Sequence, residues 1–458
     1  MKDIWKELKK NQKGLSGGEW DIAETELPRD GMAVRETLFS QGNGYLGLRG
    51  NLEEPYSGAG KGYSGTYLNG FYESSPIQYG EKAFGYARES QSMLNLPDGK
   101  PLLLFLGEEQ FDMGKGSAVG YRRSLSMKTG VLERSLTWTS PSGKKALIRF
   151  RRLVSFQHRS AAEIRLEVTP LNFSGPVAVR SSLDGRVSNR SGGEDPRVGS
   201  SIGRNPWITV TSALEKGFAR LKLKTRNSGL TVCCGTLDLP DPDFSSTAVL
   251  SRSGNLLSTV YTFEAAAGKT IRFDKFLCYR DSRSGEGDLP SSVRRELLHL
   301  RQEGFDALLS FQADFLGKFW EYADVTIAGN PALQQGIRYN MFQLLQSAGV
   351  DGRSSVSSKG LSGDGYEGHY FWDTETYVLP FFLFSRPEIS RKLLEYRYNI
   401  LDKARERARE LGHPKGALFP WRTIHGEECS AYYPAGTAPY RRGYRACRAS
   451  LLRGDRGR

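Results

Sequence analysis

Short apolar runs separated by Gly, Pro, Ser and Asn fill residues 20–276. They recur about every ten residues, which is the spacing of strands joined by turns. The clearest runs are 146–156, 161–168, 177–181, 208–211 and 220–225. Many short strands at this spacing favour an antiparallel sheet packed on a second sheet. The sequence therefore predicts an N-terminal antiparallel β-sandwich over residues 1–280.

A glycine-rich stretch, ETLFSQGNGYLGLRGN, occupies residues 36–51 inside the predicted sandwich. A nucleotide-binding glycine loop joins a strand to a following helix, but here Pro55, Ser57 and more glycines follow. We therefore predict a glycine-punctuated hairpin. Arg49 and Asn51 are candidates for facing the cleft of a neighbouring domain.

The pattern changes at the polar segment 281–288, after which apolar residues recur at helical spacing. Helices are predicted over 291–322 around Gly304, from Asn330-Pro331 onward, and over 387–411. The sequence thus predicts a helical linker at 281–325 and the start of a helical domain at 326–438.

The segment GLSGDGYEGHYFWDTETYVLPFFL at residues 360–383 concentrates reactive and aromatic side chains after a flexible loop. His369, Trp372 and Asp373 suit sugar binding, because a sugar's C–H face stacks on an aromatic ring and its hydroxyls bond to charged acceptors. The alternative is a helix start with aromatic packing, in which Asp373 is the N-cap.

A second cluster follows the third predicted helix, with Trp421, Arg422, Glu427 and Glu428 in one loop. Loops at one end of successive helical hairpins converge, so both clusters are expected to face one pocket. The alternative for Glu427 and Glu428 is a solvated pair that begins a helix.

The formal charge of +13 is concentrated at the C-terminus, since residues 439–458 hold seven arginines and one aspartate. No stripe of basic and aromatic residues accompanies them, so we predict no nucleic-acid partner. Residues 439–458 have neither helical nor strand periodicity. They are interpreted as an aberrant, out-of-frame end or as a disordered basic tail, and the DNA after the codon for Ala438 would distinguish these.

The N-terminal residues lack the apolar core of a secretory signal, which favours the cytoplasm. The longest apolar runs, 101–106 and 378–384, are shorter than the ~20 residues of a membrane helix, so no membrane association is predicted. The five cysteines are odd in number and fit neither a disulfide framework nor a CxxC metal site, so reduced thiols are predicted.

Four runs carry a family resemblance. They are ETLFSQGNGYLGLRGN (36–51), NPALQQGIRYNMFQLLQSAG (330–349), KGLSGDGYEGHYFWDTETYVLPFF (359–382) and FPWRTIHGEECSAYYPAGTA (419–438). In this order, and across residues from about 15 to 438, the chain resembles glycoside hydrolase family 65, which includes inverting maltose, kojibiose and trehalose phosphorylases. The resemblance implies an N-terminal β-sandwich, a helical linker and an (α/α)₆ barrel, of which this chain holds the first part.

The resemblance also implies a reaction. One carboxylic acid protonates the glycosidic oxygen of an α-linked glucose disaccharide while inorganic phosphate attacks the anomeric carbon from the opposite face, giving β-glucose 1-phosphate and glucose. Phosphate is then a co-substrate, no metal or other cofactor is needed, and a full-length enzyme is expected to form a homodimer. By resemblance, Trp372 and Asp373 hold the transferred glucosyl unit, and residues 421–428 help to shape the sugar pocket.

The departure from the family concerns the catalytic acid. In the family, this glutamate lies in a VTGPDEY-like segment farther along the barrel, and the phosphate-binding residues lie farther still. Neither segment occurs in this chain, so we predict no catalytic residue within it and treat His369, Trp372, Asp373, Trp421, Arg422, Glu427 and Glu428 as substrate-binding candidates.

Two alternatives remain open beside an inactive fragment of a phosphorylase. One is an α-glucoside hydrolase of the same family, in which a second carboxylate activates water. The other is a non-catalytic carbohydrate-binding fragment, an open half-barrel that leaves Val378, Leu379, Phe381, Phe382 and Phe384 without a full set of packing neighbours.

Overall fold

The computed structural model describes residues 15–26, 31–57, 62–79, 81, 84–190, 202 and 206–430. The predicted tail at 439–458 and the last part of the predicted helical domain, 431–438, lie outside these residues. Among the described residues, strands dominate up to Asp281 and helices dominate beyond it.

The strands are given in chain order. They are β1 (Leu15–Ser16), β2 (Asp21–Glu24), β3 (Gln41–Gly42), β4 (Leu46–Leu48), β5 (Thr66–Leu68), β6 (Tyr72–Pro76), β7 (Glu89–Met93), β8 (Leu102–Leu106), β9 (Glu109–Gln110), β10 (Ser117–Ser126), β11 (Leu132–Thr139), β12 (Lys145–Val154), β13 (Ala161–Pro170), β14 (Gly175–Asp184), β15 (Trp207–Glu215), β16 (Phe218–Thr225), β17 (Thr231–Pro240), β18 (Ser246–Ser253), β19 (Leu256–Ala265) and β20 (Ile271–Asp281).

Two antiparallel sheets form the sandwich. The larger sheet has the order β1-β2-β10-β11-β12-β13-β20-β17-β16-β15, and the smaller has the order β18-β19-β14-β8-β9. Every second side chain of β11 is buried, as expected where one face of a strand meets the core. One apolar cluster contains Leu136 and Trp138 of the larger sheet together with Leu104 and Val179 of the smaller one. The predicted antiparallel β-sandwich is confirmed.

The glycine-rich stretch forms the predicted hairpin, in which β3 pairs antiparallel with β4 and Gln41 lies opposite Leu48. Gly44 at its turn has φ 83°, and a Cβ there would lie 2.1 Å from the carbonyl oxygen of Ala348. Only glycine fits such a left-handed, close approach. Arg49 does reach a neighbouring segment, because its Nη1 donates to the carbonyl oxygen of Ser362 at 2.6 Å.

The helices are α1 (Met32–Leu38), α2 (Leu289–Ala323), α3 (Pro331–Ser347), α4 (Leu379–Ser385), α5 (Pro387–Asn399) and α6 (Leu401–Glu410). Helix α2 packs on the outer face of the larger sheet, and Val293 and Leu297 share an apolar cluster with Phe276 of β20. It is kinked at Gly304, where φ is 75° and ψ is 165°. The side chain of Asn330 caps α3 by accepting from the backbone N–H of Leu333 at 3.0 Å.

One expectation for the helical part was wrong, and another holds only in part. The helix predicted over 387–411 is two helices, α5 and α6, which meet at Ile400 with φ −97° and ψ 9°. Of the five apolar residues expected to lack packing neighbours, Phe384 is 84% exposed, but Leu379 and Phe382 are buried. Phe382 packs in a cluster with Phe319 of α2 and Leu393 of α5, so α2 already provides part of the packing that was expected to be missing.

The four cysteines that the structure describes, Cys233, Cys234, Cys278 and Cys429, are buried free thiols. Cys447 lies outside the described residues. Burial raises the pKa of Cys233 and of Cys278 to about 12, which keeps these thiols protonated and unreactive near neutral pH. No helix among the described residues is long and apolar enough to cross a bilayer.

Gln312 of the linker helix α2 connects this helix to the sandwich through two hydrogen bonds. Its Nε2 donates to the carbonyl oxygen of Val154, and its Oε1 accepts from the backbone N–H of Phe156, both at 3.0 Å. The Gln312→Ala substitution would leave two buried backbone groups without partners, and we expect a loss of about 2–5 kcal/mol of stability. Urea denaturation followed by tryptophan fluorescence measures this as a lower midpoint. Gln302→Ala, at an exposed position of the same helix, is the control; equal midpoints for the two variants would contradict the assignment.

Candidate functional site

A cleft of about 1380 Å³ opens where α1, α3 and two loops meet, namely the loops 356–378 and 421–430. Aromatic side chains cover much of its lining, and they are Tyr339, Tyr366, Phe371, Tyr377 and Trp421. The charged side chains of the lining are Lys359, Asp373 and Arg422. Aromatic faces beside a few charged groups are the usual composition of a site for a polar small molecule.

Tyr366 and Glu367 enter the cleft wall through a strained turn. Their φ angles are 53° and 57°, in the left-handed region that costs a residue with a side chain about 1–3 kcal/mol. The Glu367 carboxylate offsets this cost by accepting from the hydroxyls of Ser90 at 2.9 Å and Ser92 at 2.8 Å. Strand β7 thus holds the turn that places the Tyr366 ring in the cleft.

Gln91, between those two serines, holds the second loop. Its Oε1 accepts from the backbone N–H groups of Ile424 and His425, both at 2.9 Å. The two loops also bond to each other, because the N–H of Tyr370 donates to the carbonyl oxygen of Thr423 at 2.8 Å. One strand of the N-terminal part therefore sets the relative position of both loops.

His369 is fully buried behind the cleft wall. Its Nε2 donates to the backbone carbonyl oxygen of Gln91, which leaves Nδ1 to accept from Nε of Arg422 at 3.1 Å. Burial, followed by the neighbouring Arg422 cation, lowers the pKa of His369 to about 4. The imidazole is therefore neutral near pH 7 and acts as an acceptor that orients Arg422.

Arg422 lines the cleft from between two aromatic rings. Its guanidinium carbon is 5.8 Å from the ring centroids of both Tyr366 and Phe371. The Glu367 carboxylate is 3.9 Å from its Nη2, so the cation has a counter-charge on the side away from the cleft. An arginine held in this way can donate to ligand oxygens without being reoriented first.

Asp373 lies at the cleft, exposed, directly before a π-helical turn at Thr374–Val378. Asp373 occupies the N-cap position of this turn, as the alternative interpretation expected, but its side chain makes no capping hydrogen bond. The turn behind it is fixed by a buried pair, in which Nε and Nη2 of Arg397 donate to the two oxygens of Glu375 at 2.7 Å and 3.0 Å. Asp373 thus presents its carboxylate to the cleft from a backbone anchored on α5.

Glu427 and Glu428 serve different local roles. Glu427 Oε1 pairs with Lys403 Nζ of α6 at 2.8 Å. Glu428 is buried and accepts from the backbone N–H of Trp421 at 2.8 Å and from the Ser430 hydroxyl at 2.6 Å. Burial raises the pKa of Glu428, although these hydrogen bonds lower it. The solvated-pair interpretation is therefore wrong for Glu428, which folds the loop back onto Trp421.

Of the seven binding candidates, Asp373, Trp421 and Arg422 line the cleft, whereas His369, Trp372, Glu427 and Glu428 do not. Trp372 is half-buried beside Asp373, and its role as a sugar platform stays a prediction. Tyr366 and Phe371 also line the cleft and were not among the seven candidates, although both lie in the segment 360–383. The supporting residues of β7 were not predicted either, since a polar strand far from both loops carries no local signal.

The comparison with known proteins covers almost the whole described chain. A family model described as the N-terminal domain of glycosyl hydrolase family 65 matches residues 22–319, and a model of the central catalytic domain of that family matches residues 338–446. The α,α-trehalose phosphorylases of Thermoanaerobacter brockii and Geobacillus stearothermophilus are 42% and 44% identical to this chain, each over 92% of it and 55% of the relative.

A solved structure, named as a candidate kojibiose phosphorylase from the human microbiome, superposes with a TM-score of 0.81 at 26% identity. The match covers 92% of this chain and 54% of that one. The chain thus spans about half the length of the curated relatives it matches, and it shares the fold of the solved structure over the matched span.

The low pKa of His369 predicts a pH dependence. Because the unfolded state binds a proton near pH 6.5 and the folded state only near pH 4, the folded state holds fewer protons between these values and loses stability as the pH falls. Between pH 7 and pH 5 we expect a loss of about 2 kcal/mol. His369→Gln, which cannot titrate, should lose less over the same interval. Equal pH dependence of the two urea midpoints would contradict a neutral, buried His369.

Proposed function

Because the chain belongs to glycosyl hydrolase family 65, we propose that it supplies the glucosyl-binding part of an inverting disaccharide phosphorylase. In the proposed reaction, a phosphate oxygen forms a bond to the anomeric carbon as the bond to the glycosidic oxygen breaks, and a carboxylic acid protonates the departing oxygen. The products are β-glucose 1-phosphate and glucose. Inorganic phosphate is the co-substrate, and the proposal needs no metal or other cofactor. We propose that the full-length enzyme is a homodimer and that it acts in the cytoplasm.

The observation that carries the proposal is the grouping of Asp373, Phe371, Trp421 and Arg422 on one cleft. A pyranose ring offers an apolar C–H face to an aromatic ring and a belt of hydroxyls to charged groups. The Asp373 carboxylate accepts from two hydroxyls, and Arg422, already oriented by His369 at 3.1 Å, donates to oxygen atoms. The site is therefore suited to a neutral, hydroxylated ring.

Sequence identity to the relatives favours α,α-trehalose as the disaccharide. The relatives that are 42% and 44% identical are named α,α-trehalose phosphorylases, whereas relatives named kojibiose phosphorylases are 32% identical. A hydrolase of the same family would release two free sugars without phosphate, so phosphate dependence separates the two reactions.

The described carboxylates support binding rather than turnover. Among described residues, Asp373 is the one acidic side chain that lines the cleft. The Glu375 carboxylate already accepts from Nε of Arg397 at 2.7 Å. The Glu428 carboxylate already accepts from the Ser430 hydroxyl of its own loop. A protonated acid beside the leaving oxygen commonly contributes about 10²- to 10⁴-fold in rate. We therefore propose that the 458-residue chain binds sugar without turning it over.

A chimera tests the reaction. Residues 15–430 would be joined to the remaining C-terminal part of the Geobacillus stearothermophilus relative and incubated with trehalose, kojibiose or maltose, with and without phosphate. We expect β-glucose 1-phosphate from trehalose only when phosphate is present. Asp373→Asn should lower kcat/KM at least about 30-fold, since a charged hydrogen bond is worth about 2–3 kcal/mol. Two free glucose molecules without phosphate would contradict the phosphorylase proposal.

The same assay applied to the unmodified 458-residue chain should show no phosphorolysis or hydrolysis. Turnover that disappears in Glu427→Gln or Glu428→Gln would place a catalytic acid within this chain and would refute the binding-only proposal.

A second test concerns the aromatic platform. Trp421→Ala should weaken trehalose or glucose binding to the 458-residue chain about 5- to 150-fold, because it removes roughly 1–3 kcal/mol of stacking contacts. Trp421→Phe keeps an aromatic face and should retain most of the affinity by titration calorimetry. Trp372→Ala in the same series tests the platform role predicted for Trp372. Unchanged affinity would indicate that Trp372 only packs against its neighbours and does not contact the sugar.

A further inference from the structure

A cluster of imidazoles and carboxylates lies on α2, away from the cleft. Glu296, His299 and Glu303 are spaced three and four residues apart, so they share one face of the helix. His158, from the turn between β12 and β13, packs over that face with its ring centroid 5.4 Å from that of His299. The chain thus brings two imidazoles and two carboxylates together from segments about 140 residues apart in sequence.

One carboxylate of the cluster orients His158. Glu296 Oε1 accepts from Nδ1 of His158 at 3.1 Å, and Glu296 Oε2 is itself held by Nη2 of Arg280 at 2.9 Å. With Nδ1 occupied as a donor, Nε2 is the ring nitrogen that faces the helix. Carboxylates commonly fix metal-binding histidines in this way, by accepting from the nitrogen that does not bind the ion.

The atoms that face each other are suited to a cation. His158 Nε2 lies 3.0 Å from Glu303 Oε2, the distance of an ion pair with a protonated imidazole, and both atoms are buried. His299 Nε2 lies 3.4 Å from the other oxygen of Glu303. One ligand atom from each of the three residues can be chosen so that all lie within 4.8 Å of one another.

We propose that His158, His299 and Glu303 bind one Zn²⁺-type divalent cation. Two imidazoles and one carboxylate are ligands that zinc prefers, whereas Mg²⁺ and Ca²⁺ prefer all-oxygen sites. Ligand atoms about 2.0–2.1 Å from a tetrahedral ion are roughly 3.4 Å apart. The three ligand atoms, which lie within 4.8 Å of one another, must therefore move slightly closer together to bind the ion. His299 is 53% exposed and can supply that movement, while water takes the fourth position.

The position of the cluster gives the ion a structural role. A second cavity, of about 640 Å³, is lined by His158 and Glu296 and gives access to the site. None of the three ligands lines the proposed sugar cleft. A bound ion would join the β12–β13 turn to the linker helix, beside the contact that Gln312 makes between the same two segments. It would therefore stabilise this junction without taking part in glucosyl transfer.

Titration calorimetry of the untagged 458-residue chain with ZnCl₂ tests the site, after removal of metals on a chelating resin. We expect one ion per chain at micromolar affinity or tighter, no binding of Mg²⁺ or Ca²⁺ at the same concentrations, and a higher Tm in the presence of zinc. His299→Ala should abolish both the binding and the Tm increase, and Glu303→Gln should weaken binding at least 10-fold. Since His299 is half-exposed, its replacement should leave the Tm in EDTA unchanged.

His413→Ala is the matched control, because it removes another exposed imidazole and should bind zinc as the unmodified chain does. The proposal is overturned if the unmodified chain binds no zinc below about 100 μM. It is also overturned if zinc binding survives in both His299→Ala and Glu303→Gln, because the ion would then lie elsewhere. Sugar binding is expected to be the same with and without zinc, so this outcome is separate from the proposed function.

Discussion

The hydrogen bonds of strand β7 are the interaction on which the candidate site depends. Ser90 and Ser92 hold the Glu367 carboxylate, and Gln91 bonds to the loop that contains Trp421 and Arg422. These bonds join residues 275 or more positions apart in the chain. A loop held only at its own ends would sample many conformations, and fixing it costs conformational entropy that these contacts offset. The N-terminal sandwich is therefore a structural part of the binding site.

A second line of contacts connects the core of the larger sheet to the same loops. Arg152 of β12 is buried and donates from Nη2 to the carbonyl oxygen of Arg49 at 3.1 Å. Arg49 in turn donates to Ser362, which lies on the rim of the cleft. Arg152 also pairs with Glu53 at 3.1 Å, so its charge is compensated inside the protein. Such a pair adds little net stability but strongly disfavours any arrangement that separates its members.

The site combines residues that the local sequence predicts with residues whose role is visible only in the folded chain. Asp373, Trp421 and Arg422 lie within short segments whose composition already indicated sugar binding. His369 lies in the same segment, but its ring is turned inward to Gln91 and Arg422, and residue type alone does not say which way a side chain faces. Glu375 and Arg397 form a pair across two elements, a contact that exists only once α5 has packed.

The sequence by itself determined the sandwich, the linker helix, the start of α3 and two of the segments that line the cleft. Those features follow from periodicity, turn residues and capping, which act over a few neighbouring residues. Only the tertiary structure decided that the helix predicted over 387–411 breaks at Ile400, that Glu428 is buried and that β7 joins both loops. It also decided that His158 meets His299 and Glu303. Each of these depends on which surfaces meet after folding, and contacts between residues far apart in the chain leave no local pattern from which they could be predicted.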